Sequence, residues 1–202
     1  MMNRAGLKQK AKDQLGNKLF GTGWIMAVCA VIIVGAITGG VNSIPYVGWI
    51  ISLVVGGPLA YSLAKLFIKQ SYDGKPMELG NMFDGFKEDF GCNVLLYIMQ
   101  VIFITLWSLL LIVPGIIKMY EYKFIFYVKA DHPEYTWKEC FAESKRLTNG
   151  HKMDMFVLSL SFIGWAIVGT LCVGVGSFWV AAYQGATFSQ LYKQLKEQPV
   201  VE

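Results

Sequence analysis

The chain has 202 residues, 54% of them hydrophobic and only 16% charged, with a net charge of +4 and a mean hydropathy of +0.45. Soluble domains carry about 25% charged residues. Here the shortage is concentrated: no Asp, Glu, Lys or Arg occurs in Leu19–Ala64, Phe90–Ile117 or Met155–Tyr192, runs of 46, 28 and 38 residues. A bilayer span takes about 20 apolar residues, so a soluble single domain and a secreted disulfide scaffold are both excluded. The chain reads as an all-α, polytopic integral membrane protein with one membrane domain over residues 1–202.

The first 18 residues are basic. Leu7, Ala11, Leu15 and Leu19 recur every four positions, with Arg4, Lys8, Lys10, Lys12 and Lys18 on the other faces. This pattern fits an amphipathic helix at the membrane interface and equally a solvated basic leader that sets orientation. The polar start, without a small-residue cleavage pattern, argues against a cleavable signal peptide.

The 46-residue run would be roughly 69 Å long as one helix, against a bilayer core of about 30 Å. It must fold back, and the breakers from Gly39 to Pro45 supply the turn, predicting spans at 20–39 and 46–68. The 28-residue run gives a span at 91–113. The one Pro-Gly pair, Pro114-Gly115, is predicted as a helix break, followed by a short return span at 115–130. The 38-residue run, roughly 57 Å as one helix, turns near Gly169, Gly174 and Gly176, predicting spans at 154–171 and 176–195. With this arrangement 16 of the 18 Lys and Arg fall on one side. Cytoplasmic loops collect such residues, so both termini are expected in the cytoplasm and six transmembrane helices form three hairpins.

The segments on that side look alike. Lys75-Pro76 precedes Glu78 to Phe86 much as His132-Pro133 precedes Tyr135 to Phe141, and each is expected to form a short amphipathic helix at the inner interface. Thr136-Trp-Lys-Glu139 fits a capping box, with Gly150 placed to end the second helix.

The residues also carry a family pattern: Met-Asn-Arg-Ala-x-Leu-Lys from Met2, Met82-Phe-Asp-Gly-Phe86, Leu106 to Lys118 with its Val-Pro-Gly-Ile-Ile-Lys ending, Ala130-Asp-His-Pro133, Glu143-Ser-Lys with Gly150-His-Lys152, and Leu158 to Trp165. On these the chain resembles the bacterial membrane family known as domain of unknown function 975. It is more distantly similar to the membrane domain that accompanies some glycerophosphodiester phosphodiesterases, whose catalytic domain it lacks. The resemblance implies a bacterial plasma-membrane protein and implies no catalytic residues.

Enzyme signatures such as Gly-x-Ser-x-Gly, a P-loop or His-Glu-x-x-His are not found, and no enzyme activity or cofactor is expected. Cys29, Cys92, Cys140 and Cys172 are widely spaced; Cys29 and Cys172, inside apolar runs, read as buried small hydrophobes. His132 and His151 would need the helix between them to fold back to share a metal, and no metal is expected. Gly35-x-x-x-Gly39 and Ala181-x-x-x-Gly185-x-x-x-Ser189 read as small-residue helix-packing seams. Trp24, Tyr46, Trp49, Tyr97, Trp165, Trp179 and Tyr192 read as interface anchors.

The candidate site is Lys118, Glu121 and Lys123 with Tyr122, charges placed at membrane depth beside a helix break. Lys118 and Glu121, one turn apart, are spaced to pair, and Lys123 points elsewhere. Such charges face the bundle interior or a water-filled cavity. They make either a polar site for a solute or a partner's charge, or a self-neutralised pair with a snorkelling lysine. The basic balance points to anionic lipid headgroups rather than nucleic acid. The leading expectation is a non-enzymatic module binding partner proteins or lipids at the cytoplasmic face; the alternative is a small transporter or permease component using the intramembrane polar site.

Overall fold

The computed structural model describes residues 4–16, 20–171 and 175–197, and these are helical with short connections and no strand. Ten α-helices follow one another: α1 (Arg4–Leu15), α2 (Thr22–Asn42), α3 (Gly48–Asp73), α4 (Asp84–Lys87, preceded by a 3-10 turn at Leu79–Phe83), α5 (Phe90–Leu110), α6 (Ile112–Glu121), α7 (Ile125–Asp131), α8 (Trp137–Thr148), α9 (Lys152–Leu171) and α10 (Val175–Glu197). Four of them, α2, α3, α5 and α9 from Lys152 to Thr170, are long and apolar enough to cross a membrane.

The expected spans at 20–39, 46–68, 91–113 and 154–171 correspond to these four helices with shifted ends. Helix α2 runs on through Gly39 and Gly40 to Asn42, and the chain turns at 43–47, where Tyr46 takes a positive φ of 65°. Glycine in an apolar run stays helical because lipid offers its backbone no other hydrogen-bond partner.

The expected span at 115–130 is instead two short helices. Together they run antiparallel along the whole of α5. A Cβ on Gly115 would stand 2.2 Å from the Ser108 hydroxyl oxygen. Further along, Tyr122 packs on Phe103 at 6.0 Å, Phe126 lies 6.4 Å from Tyr97, and Lys129 bonds Asp89 at the start of α5.

The segment expected at 176–195 is the 23-residue α10. It is long but less apolar than the other four, because its neighbours are helices rather than lipid. Ala182, Ala186, Thr187, Phe188, Ser189, Leu191 and Tyr192 are all buried, and α1, α2, α3 and α9 surround it.

Helix α1 lies as a strap across one end of the bundle. Arg4 reaches Asp154 of α9, Lys8 accepts a hydrogen bond at its carbonyl from Tyr183 of α10, and Gln14 donates to the Phe67 carbonyl of α3. Gly16 accepts from the Trp24 indole N–H at 2.7 Å. Leu7, Ala11 and Leu15 are fully buried against the protein, so the apolar stripe is spent on the bundle and not on the bilayer interface; Leu19 lies outside the described residues. The two inner segments also dock by their apolar sides. In the first, only a 3-10 turn and one α-turn form, burying Met77 and Met82. In the second, α8 buries Cys140, Phe141 and Leu147. Thr136 starts α8 with the expected capping box, and Gly150 follows its end with φ 75°.

Close helix contact occurs where glycine meets backbone. A Cβ on Gly57 of α3 would lie 2.2 Å from the Asn93 carbonyl oxygen of α5, whereas one on Gly39 would meet nothing within 4 Å. Gly57→Val is therefore expected to lower stability by about 2–3 kcal/mol through overpacking, while Gly39→Ala leaves it unchanged. Thermal midpoints of the two variants in one detergent check both; equal midpoints would refute the assigned α3–α5 contact.

Candidate functional site

Helix α6 starts abruptly. Leu111 is extended (φ −159°, ψ 141°), its N–H closing α5 on the Trp107 carbonyl while its own carbonyl accepts from Gly115. The break thus falls at Leu111, three residues before the predicted Pro114-Gly115. Pro114 sits in the first turn of α6, where its missing N–H costs no intrahelical bond, and Gly115 provides the close approach to α5.

At the other end of α6, Glu121 is 2% exposed. Its carboxylate accepts from Lys118 one turn earlier at 2.8 Å and from Lys152, the first residue of α9, at 2.7 Å. The Lys118 ammonium also lies over the Trp107 and Tyr122 rings, 5.4 and 5.6 Å from their centroids, a cation–π arrangement. One carboxylate therefore joins α6 to α9 between two cations.

Helix α6 ends here, and Tyr122–Phe124 form a kink before α7. Two hydroxyls from α8 meet the backbone groups this frees. Ser144 donates to the Glu121 carbonyl at 2.7 Å and accepts from the Phe124 N–H at 3.2 Å, while Thr148 approaches the same carbonyl at 3.5 Å. The Gln100 amide of α5 donates to the Tyr122 carbonyl. Tyr122 itself is buried against Phe103 and Phe141.

Lys123 stands apart from this cluster. The residue keeps exposed surface, its ammonium lies 4.7 Å over the buried Phe188 ring of α10, and among the described residues it has no acidic partner. The structure thus joins Lys118, Glu121 and Tyr122 in one cluster and leaves Lys123 on another side of the kink.

A second polar cluster closes the same end of the bundle as α1. Lys65 of α3 bonds Asp84 and Glu88 at 3.0 and 2.7 Å, and Tyr61 donates to Glu88. Buried Lys129 bonds Asp89 at 2.8 Å and the Tyr135 carbonyl. Asn93, fully buried, donates to the Gly85 and Glu88 carbonyls. Asp131 accepts from Tyr192 and Lys196 of α10. On the outward side of α8, Arg146 grips Glu143 through two bonds of 2.6 and 2.8 Å and holds its carboxyl below the usual carboxylate range. The N–H and hydroxyl of Thr136 do the same for Glu139.

The two histidines make separate contacts. His132 stacks on Tyr135 at 4.6 Å beside Glu134, and His151 lies 4.0 Å from Asp154. In the predicted packing seams, a Cβ on Gly185 would strike the Phe67 ring at 2.5 Å, and Ser189 is buried with its hydroxyl toward Gln14 and Ala186. Ala181 is only half-buried, the fully buried alanines being Ala182 and Ala186 one position on. Gly35 meets Phe178 at an ordinary 3.9 Å and Gly39 faces open space, so Gly35-x-x-x-Gly39 is not a close-packed seam within this chain. Cys29, Cys92 and Cys140 are free thiols; Cys172 lies outside the described residues.

Ser144 and Lys152 stand out in the sequence only as members of the family pattern, and Thr148 not at all. The Ser144-x-x-x-Thr148 spacing does place two hydroxyls on one helix face, but nothing local links them or Lys152 to a kink 20 or more residues upstream.

These features define an all-helical protein with four helices suited to cross a membrane. Residues 109–199 match the model of a family described as "Protein of unknown function (DUF975)". The matched stretch runs from the tip of α5 through α10 and contains the whole Lys118–Glu121–Lys152 cluster. No curated protein and no solved structure matches the chain.

Glu121→Gln would keep one acceptor oxygen but turn an NH2 donor toward one of the two lysines and remove the charge that both share. It is expected to cost about 2–3 kcal/mol, the scale for hydrogen bonds to charged groups. Lys123→Met breaks no polar contact and should stay within about 0.5 kcal/mol of the parent. Unfolding midpoints in detergent decide between this ranking and its reverse.

Proposed function

We propose that this chain is a six-pass, non-enzymatic module of the bacterial plasma membrane that binds partner proteins or anionic lipid headgroups through its cytoplasmic end. The observation that carries the reading is how α1 and α8 are used. Both spend their apolar faces on the bundle and present exposed Lys12, Lys138 and Lys145 on the other side, with Arg146 there held by Glu143. A surface of fixed cations with no apolar stripe to insert recognises by charge, and each cation near an anionic leaflet contributes about 1 kcal/mol. The return of α6 and α7 along all of α5, and the length of α10, support six passes with both termini on the basic side. Placement of that side in the cytoplasm follows from the bias of Lys and Arg toward cytoplasmic loops.

The alternative, a small transporter or permease component, is favoured by one observation: Lys123 sits beside a broken helix and, among the described residues, has no acidic partner. Broken helices and unpaired intramembrane charges frame transport sites elsewhere. A thiol placed at position 123 in a cysteine-free variant separates the two readings. Reaction with a small charged reagent from both sides of the membrane favours transport, and protection from both sides removes it.

Native mass spectrometry tests the leading reading. Full-length protein released from nanodiscs of mixed phosphatidylglycerol and phosphatidylcholine is expected to retain the anionic lipid preferentially. The Lys138→Glu, Lys145→Glu, Arg146→Glu variant is expected to lose that preference. Equal retention of both lipids by the parent protein would sink the lipid half of the proposal.

A further inference from the structure

Between the strap α1 and the ends of α3 and α10 lies a cavity of about 500 Å³, within the size range of small-molecule sites. Its lining is polar and charged, and its floor is fixed. The Gln14 amide donates to the Phe67 carbonyl and to Gln70, and its oxygen accepts from Gln190 at 2.9 Å and from Ser189. Gln70, 2% exposed, returns a bond to the Gln14 carbonyl. Three helices are thereby held in register by one amide cluster.

The walls are less satisfied than the floor. The Ser71 hydroxyl is buried with no hydrogen-bond partner. Lys193 approaches it from α10, its ammonium 3.4 Å from the Ser71 carbonyl oxygen and over the Tyr72 ring. Lys10 and Asp13 of α1 and Glu197 of α10 complete the lining. Among the described residues none of these four charged side chains is paired with an opposite charge. Two cations and two carboxylates around one polar cavity, left apart and balanced in sign, complement a ligand that carries both charges.

We infer that this cavity binds a zwitterion bearing an oxyanion and a primary ammonium. The oxyanion accepts from the Lys193 and Lys10 ammoniums and, on a turn of its side chain, from the unpartnered Ser71 hydroxyl, and the ammonium donates to Asp13 and Glu197. A free amino acid or short peptide has this chemistry, and so does a phosphatidylethanolamine headgroup. The lining, without an apolar side chain to receive an acyl chain, favours the soluble source. The inference goes beyond the surface recognition proposed above and does not depend on it, since the cavity lies beneath α1 and not on the exposed face of α8.

The test uses full-length protein in phosphatidylcholine nanodiscs, titrated with the dipeptide alanyl-alanine while its thermal midpoint is followed. A second set of nanodiscs replaces part of the phosphatidylcholine with phosphatidylethanolamine. A rise in midpoint with either probe, reduced in Ser71→Ala and lost in Lys193→Gln, is the expected result. Response to the dipeptide identifies a soluble ligand; response to phosphatidylethanolamine alone identifies a lipid headgroup. Asp13→Asn, at an exposed position on α1, guards against misfolding of the other two and is expected to weaken binding about tenfold, the loss of one charge-assisted hydrogen bond. No rise with either probe overturns the inference, as does a rise that all three variants retain.

Discussion

A helix broken inside an apolar bundle must find partners for the backbone groups it frees, because hydrocarbon supplies none and each unsatisfied group costs several kcal/mol. The kink at Tyr122–Phe124 sets this requirement, and α8 answers it. Ser144 serves the groups on both sides of the kink at once, as donor to the Glu121 carbonyl and acceptor from the Phe124 N–H. The rest of that end of the molecule follows. With its hydroxyls turned inward, α8 brings Phe141 onto Tyr122 and Phe103. Its short exit through Gly150 then delivers Lys152 to the Glu121 carboxylate.

The charged cluster is for this reason a joint between elements. Each of its members belongs to a different problem of the fold: Glu121 ends α6, Lys118 packs along α5 through Trp107, and Lys152 begins α9. Taking three ions out of water is costly unless they satisfy one another. Here the carboxylate is enclosed while both lysines keep partial access to solvent, which limits that cost. The second polar cluster, around Lys65, Lys129 and the carboxylates from Asp84 to Asp89, ties α3, α4, α5 and α7 at the basic end in the same manner.

Much of this was legible in the sequence. The charge-free runs reported the long helices, since a lipid-facing helix shows its environment along its whole length. The Lys118–Glu121 pair, the capping box at Thr136 and the stop at Gly150 are local, and local spacing reveals them. What escaped was set by distant residues. Pro114 and Gly115 look like a break, but proline is at home in a first helical turn, so the break moved to Leu111 where only the fold-back onto α5 decides it. Gly39 looks like a packing residue and faces open space, while Gly57, in an unremarkable Gly-Gly-Pro, carries the tight approach to Asn93. The N-terminal stripe predicted an apolar face correctly but not whether lipid or protein would cover it.

The strap α1 has a consequence for the order in which the molecule is made. It is the first helix described, yet its partners on α10 are separated from it by 175 and 176 residues, as in Tyr183 to Lys8 and Gln190 to Gln14. During synthesis α2 and α3 can shelter Ala11 and Leu15 soon after they emerge, because Trp24, Leu66 and Phe67 share their cluster. The contacts to α10 come later, and the entropy of closing so long a loop is met only when that helix docks. The strap is thus fastened in two stages, with Gln14 meeting Gln70 first and Gln190 completing the amide floor last.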